Sequence, residues 1–191
     1  TGPKGFLLFS KSTSKNVQFK MVIGGEFEVG KTSLVHTFIT GAFDSDYKAT
    51  IGTSILKKDC ILKNLDVTVK LVIWDLGGQE QFKKVRSKYM LDAKAGFLVF
   101  DVTRPETFEK IPQWYEDFKS SADSSIELIL IGNKIDLESE RKVTTEQGTD
   151  MAKKLGIPYL ETSAVNSDIV DEAFNLIAFK LIQDKVKITN K

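Results

Sequence analysis

The stretch VQFKMVIGGEFEVGKTSLVHTFIT, Val17 to Thr40, decides the fold. It opens on an apolar run (Val17 to Gly25) that reads as a strand, crosses a glycine-containing loop, and continues in a helical pattern from Thr32 to Thr40. Within it, Gly25-x-x-x-x-Gly30-Lys31-Thr32 is a strand-to-helix phosphate loop. Successive backbone N–H groups of such a loop line a concavity that fits oxyanions, and the helix aims its positive end at them. Lys31 would reach the β- and γ-phosphates, and the Thr32 hydroxyl would ligate Mg²⁺. By chance the pattern arises in roughly one chain of this length in a hundred. Its middle is unusual: the bulky Phe27 and the acidic Glu28 sit where backbone should pass close to an anion.

Outward from this loop, strand signals recur. "SILKKDCILK" and "DVTVKLVIWD" flank Asn64 and read as a hairpin. Ala95 to Val102 and Ile126 to Asn133 are apolar on both faces, as buried parallel strands are. Ile157 to Thr162 is a short last strand. Helical patterns lie between: Pro105 to Ala122, Thr145 to Gly156 with Pro158 just after, and Asp168 to Val186. Alternating strands and helices predict an α/β domain with a mainly parallel sheet. In such sheets ligands sit outside the carboxyl ends of the strands.

The chain has 191 residues, 41% hydrophobic and 28% charged, which fits one domain with short tails. Lys plus Arg is 27 against 26 Asp plus Glu, so its charge gives no reason to expect nucleic acid as a partner. Single Cys60 and single His36 exclude an internal disulfide and a cysteine-built or multi-histidine metal site. A reducing, cytoplasmic home is expected. No apolar run approaches the roughly 20 residues of a membrane span, and Gly5 to Phe9, "GFLLF", is too short for a signal-peptide core. The final "KVKITNK" has no cysteine to prenylate. Membrane contact is expected to be weak or indirect, with peripheral attachment through partners.

Two further motifs carry chemistry. "WDLGGQE", Trp74 to Glu80, closes a strand. Asp75 there can hold Mg²⁺ through water, Gly77 and Gly78 let backbone approach a γ-phosphate, and Gln79 can orient an attacking water. The same residues also make a plain turn. "NKID", Asn133 to Asp136, follows a buried strand. The Asp136 carboxylate can accept both N1–H and the 2-amino group of guanine. Adenine offers an acceptor at N1 and no 2-amino group, a mismatch that discriminates by about 10⁴. Asn133 and Lys134 would tie this loop to the phosphate loop. Alone, the tetrapeptide is equally a solvated polar turn; its value lies in the order and spacing of all three motifs.

That ordered set resembles the Ras superfamily of small GTPases over about residues 17 to 186. The Rab proteins resemble it most, through "KLVIWDLGGQEQF", "FDVTRPETF" and "GNKIDLESERKVTTEQG…IPYLETSA". The resemblance implies a P-loop NTPase fold: a six-stranded sheet, its second strand antiparallel, flanked by five helices. It divides the chain into an extension (1–16), the GTPase domain (17–186) and a tail (187–191). It implies contacts to GTP or GDP from Gly25, Glu28, Val29, Gly30, Lys31, Thr32 and Ser33, and catalytic roles for Gln79, Lys31 and Gly78. Thr50 resembles the switch I threonine that binds Mg²⁺ beside Thr32. Phe43 matches the aromatic that packs on guanine, and Tyr47 the tyrosine over the phosphates. Gly78 matches the glycine whose N–H meets the γ-phosphate. Ser163, Ala164 and Val165 match the last base-binding loop. Without the resemblance, Phe43 and Tyr47 would pass as ordinary loop or core aromatics.

Four departures stand out. Val165 replaces the usual lysine, Gly77 gives "LGGQ" as in Arf-like proteins, Phe27 and Glu28 replace small residues, and no prenylatable cysteine exists. The resemblance implies a monomeric switch in vesicle traffic. Switch I (about 43–52) and switch II (about 76–90) would meet effectors, exchange factors and GTPase-activating proteins. Ile55, Trp74 and Tyr89 fall where Rab proteins show an apolar partner-binding triad; each is equally a core residue. Phe27 predicts slow hydrolysis. Two other readings stand beside this one: a non-hydrolysing GTP-binding scaffold or assembly protein, and an ATP-using P-loop kinase, against which Asn133 to Asp136 argue.

Overall fold

The computed structural model describes residues 15–46, 50, 52–78 and 83–189. Six strands form one sheet: β1 (Lys15–Gly24), β2 (Thr53–Leu62), β3 (Val67–Leu76), β4 (Ala95–Asp101), β5 (Glu127–Asn133) and β6 (Tyr159–Thr162). Their spatial order is β2-β3-β1-β4-β5-β6. β2 runs antiparallel to β3 and every other pairing is parallel, as expected.

The helices are α1 (Lys31–Thr40), α2 (Lys83–Met90), α3 (Pro105–Glu109), α4 (Ile111–Ser121), α5 (Thr145–Leu155) and α6 (Ser167–Thr189). Successive β1 residues feed opposite faces. Met21 and Ile23 join a core with Phe38, Phe97 and Phe174, while Val22 joins another with Phe100, Trp114 and Phe118. Every β4 residue is buried, which explains its unbroken apolar run. On the first face, Phe38 of α1 stacks on Phe174 of α6 at 3.9 Å between centroids, pinning the helix that begins at the phosphate loop.

One expected helix is two. The pattern over Pro105 to Ala122 breaks at Lys110, between α3 and α4. Pro112 has no N–H to offer the carbonyl of Phe108, so a continuous helix cannot pass. It is tolerated in the first turn of α4, where that N–H has no partner anyway. The restart lets α4 bury Ile111, Trp114 and Phe118. Gly24 and Gly96 make room for them: a Cβ on either would come within 2.7 Å of the Phe118 ring. α5 follows its sequence signals, with a reciprocal Thr144–Gln147 capping box and Gly156 left-handed at its end.

β1 pairs with β3 on one side and β4 on the other. The phosphate loop therefore leaves the sheet where the chain's connections part to opposite sides, the place where open α/β sheets bind ligands.

Candidate functional site

The loop from Gly25 to Lys31 is wound tightly by two glycines. Gly25 has φ 146°, and a Cβ there would stand 2.2 Å from the Val99 carbonyl oxygen. Gly30 has φ 93°, and a Cβ there would meet Asn133 Nδ2 at 2.4 Å. Glu28 also takes a left-handed backbone (φ 61°), at a cost of roughly 1–2 kcal/mol for a residue with a side chain. Its side chain is exposed. No acidic residue occupies the first turn of α1, so the helix places no carboxylate of its own against an anion at its N-terminus.

Lys31 is almost fully buried inside the loop, its Nζ donating to the carbonyls of Gly25 and Glu26 at 2.7 Å each. Burial pulls its pKa down to about 8, with the Asp75 charge acting the other way. A phosphate beside the amine would favour the charged form again.

At the end of β3 a second corner forms. Thr32 Oγ1 donates to Asp75 Oδ2 at 2.5 Å and lies 2.6 Å from Thr50 Oγ1, while Thr50 Oγ1 donates to the same carboxylate oxygen at 3.2 Å. Asp75 is wholly buried, and its Oδ1 has no hydrogen-bond partner among the described residues. Burial raises its pKa, against the two threonine hydrogen bonds and the Lys31 charge. Two hydroxyls and a buried carboxylate with a spare oxygen fit a hard divalent cation that completes its shell with phosphate oxygens and water. Among the described residues no cluster of three or more His, Cys, Asp or Glu could hold a metal alone.

The base-side loops are bound to this frame. Asn133 Nδ2 donates to the Val29 carbonyl at 2.9 Å, and Asn133 Oδ1 accepts from Thr162 Oγ1 at 3.0 Å. Ser163 Oγ donates to Asp136 Oδ1 at 2.5 Å. Thr37 Oγ1 reaches across from α1 to the Ala164 carbonyl at 2.7 Å. Lys134 differs from expectation. Its stem passes Gly30, but its Nζ ends 2.7 Å from Asp101 Oδ2 rather than on the phosphate loop. Among the described residues that oxygen has no partner at hydrogen-bonding angles, so the contact is an ion pair rather than a directed hydrogen bond. Asp101 is 1% exposed, and a buried carboxylate claims the nearest cation.

These groups surround a cavity of about 560 Å³. Its wall includes Glu28, Gly30, Lys31, Thr32, Ser33, Thr50 and Gly78 on the phosphate side, and Phe43, Asn133, Lys134, Asp136, Ala164 and Val165 on the base side. Phe27 lines it as well, 37% exposed. Val29 is buried behind the loop and contributes its carbonyl to Asn133. Tyr47 and Gln79 lie outside the described residues. Ile55 is half exposed and pairs in register with Trp74, whose ring stands 6.1 Å from that of Tyr89.

Sequence reasoning gave no role to Asp101, Arg86 or the Glu26–Trp114 pair. Asp101 carried a legible signal, a carboxylate closing an unbroken apolar strand. Arg86 carried none, being one base among several on α2.

A sequence model of the Ras family matches residues 20–183. The chain belongs to the Ras family. It is 42% identical over 159 residues to the Ras-related protein RABA4b of Arabidopsis thaliana, covering 83% of this chain and 70% of that protein. It is 40% identical over 159 residues to the Ras-related protein Rab11A of Lotus japonicus, with the same coverage. It is also 40% identical over 156 residues to the Ras-related protein Rab11C of Nicotiana tabacum, covering 82% and 69%. As a Ras-family member close to the Rab proteins, it is a guanine-nucleotide-binding switch and a GTPase that works with regulators and effectors. The scaffold alternative is not favoured. No helix among the described residues is long and apolar enough to cross a membrane.

Proposed function

We propose that residues 17–186 form the GTPase domain, and that this domain binds GTP and Mg²⁺ in the cavity and hydrolyses GTP slowly. Asp136 reads the guanine edge, Phe43 and Val165 flank the base, and the Ala164 N–H meets its O6. Lys31 and the loop N–H groups from Gly25 to Ser33 hold the phosphates. Thr32 and Thr50 ligate Mg²⁺ directly, and Asp75 acts through water. The ion, when bound, neutralises charge developing on the phosphates. Gly78 offers its N–H to the γ-phosphate, Gln79 orients the water, and Tyr47 covers the phosphates. Partners meet switch I, switch II and the Ile55–Trp74–Tyr89 patch, and through them the monomer sits peripherally at a membrane.

The observation that carries the slow rate is Phe27, which lines the same cavity as Thr50 and Gly78. A ring there competes for the space that Gln79, its water and an inserted arginine need. The ring has no need to displace the loop N–H groups that bind the β-phosphate, so affinity should survive. Displacing a reacting group by about 1 Å costs about 10²-fold in rate. Phe27→Gly should raise the single-turnover hydrolysis rate at least severalfold with little change in GDP affinity. Equal rates in Phe27→Gly and the unaltered protein would sink this account of the loop.

A further inference from the structure

The phosphate loop and the start of switch II are joined through two buried side chains that lie outside the cavity wall. Glu26, second residue of the loop, accepts a hydrogen bond from Trp114 Nε1 at 2.9 Å. The guanidinium of Arg86, from α2, stands over the Trp114 ring with Cζ 4.1 Å from the centroid. Arg86 Nη2 then donates to the Gly78 carbonyl at 3.1 Å. Gly78 itself lies against the loop, where a Cβ would come 2.4–2.5 Å from the backbone of Glu26 and Phe27. The contacts close a ring: Glu26, Trp114, Arg86, Gly78, and back to Glu26.

Arg86 is 4% exposed and Trp114 1%. A guanidinium buried this deeply is costly unless its charge is met. Among the described residues the indole face and the Gly78 carbonyl meet it, and the indole N–H in turn donates to the Glu26 carboxylate. The carbonyl that Arg86 holds belongs to the peptide that leads into Gln79.

We infer that Arg86 is a positioning residue for GTP hydrolysis, holding Gly78 against the phosphate loop through Trp114 and Glu26. The inference rests on the roles proposed above for Gly78 and Gln79. Arg86 does not line the cavity, although its charge is felt at Lys31, so its loss is expected to act on rate more than on binding. Trp114, inside the ring, reports whether the ring is closed. The chain's only other tryptophan is Trp74, so Trp74→Phe leaves Trp114 as the sole emitter.

The test uses the full chain with Trp74→Phe, with and without Arg86→Gln. Three quantities are read: release of labelled GDP, single-turnover GTP hydrolysis, and the change in Trp114 emission when GDP is exchanged for a slowly hydrolysed GTP analogue. The expected result in Arg86→Gln is GDP release within threefold of the parent, hydrolysis slower by about 10- to 100-fold, and loss of the emission change. Arg86→Lys, which keeps the charge but not the planar fork, should recover part of the rate. Trp114→Phe keeps a ring under Arg86 and removes the donor to Glu26; it should slow hydrolysis while retaining GDP, and it guards against a folding defect confined to Arg86→Gln. Unchanged hydrolysis and emission in Arg86→Gln overturn the inference. So does a parallel loss of GDP retention and rate in both Arg86→Gln and Trp114→Phe, which would make the ring a structural support only. If the parent itself neither retains GDP nor hydrolyses GTP, the fault lies in the reading of the cavity and not in Arg86.

Discussion

Asp136 has one carboxylate oxygen engaged by the Ser163 hydroxyl at 2.5 Å, which fixes the plane of the group at the cavity wall. A fixed acceptor pair suits the two adjacent donors of guanine. Asp136→Asn replaces one acceptor by a donor, and xanthine, with a carbonyl where guanine has its amine, then becomes the better match. Competition of GTP against XTP for labelled GDP should show the guanine preference falling by about 10²-fold or more in this variant. Selectivity equal to that of the unaltered protein would remove Asp136 from base recognition. At the opposite corner, the spare oxygen of Asp75 and the two threonine hydroxyls predict metal-dependent retention. Chelation of Mg²⁺ should speed GDP release, and Thr32→Asn should weaken GTP more than GDP, because the γ-phosphate state leans most on the bridging ion. Release that ignores chelation would show that this corner holds no ion.

At the scale of elements, caps and close contacts decide how firmly the loops of the site are held. α5 carries its full capping box, with Gln147 N donating to Thr144 Oγ1 at 3.2 Å and Thr144 N donating to Gln147 Oε1 at 2.8 Å. Thr144→Ala removes one half and should cost about 1 kcal/mol, read as a lower denaturation midpoint with an unchanged denaturant slope. Gly24 lies at the carboxyl end of β1, directly under Phe118 and Trp114. Gly24→Ala forces a methyl into that contact and should cost about 1–3 kcal/mol. Because Trp114 also holds Glu26, the same change should disturb the phosphate loop more than Thr144→Ala does. Nucleotide release rates in the two variants separate these outcomes.

For the molecule as a whole, Cys60 is a native reporter of opening. It sits on β2, 3% exposed, and burial raises its pKa to about 12 from 9.0. The folded value lies above the unfolded one. The thiol's contribution to stability is therefore complete below about pH 9 and is lost as pH rises from there through about 12. Between those limits stability should fall with pH, and a Cys60→Ala variant should show the smaller slope. Near pH 8 a thiol reagent should label the folded protein only through opening, and saturating GDP should slow labelling by mass action. Labelling as fast as in denaturant would mean that β2 does not shield this residue.

The sheet, the order of elements and the chemistry of three loops were legible along the chain because each is a local matter. Val17 to Thr40 holds strand, glycine turns and helix in one unbroken segment, and β4 and β5 announce burial on both faces by unbroken apolar runs. Phe27 was legible too, since its size conflicts with its place in the loop. Tertiary contact alone decided the rest. Lys134 turned to Asp101 because a carboxylate 33 positions earlier in the chain is buried beside it. Thr32, Thr50 and Asp75 meet only where α1, switch I and β3 converge, and nothing in their spacing states that one carboxylate oxygen is left unpaired. Arg86 and Trp114 carried no reading in the sequence, and they become a link between switch II and the phosphate loop only when α2 packs on α4. Periodicity and turn chemistry act over a few residues. Charge and hydrogen-bond satisfaction act through space, so the partner of a buried polar group is fixed only when the chain has closed around it.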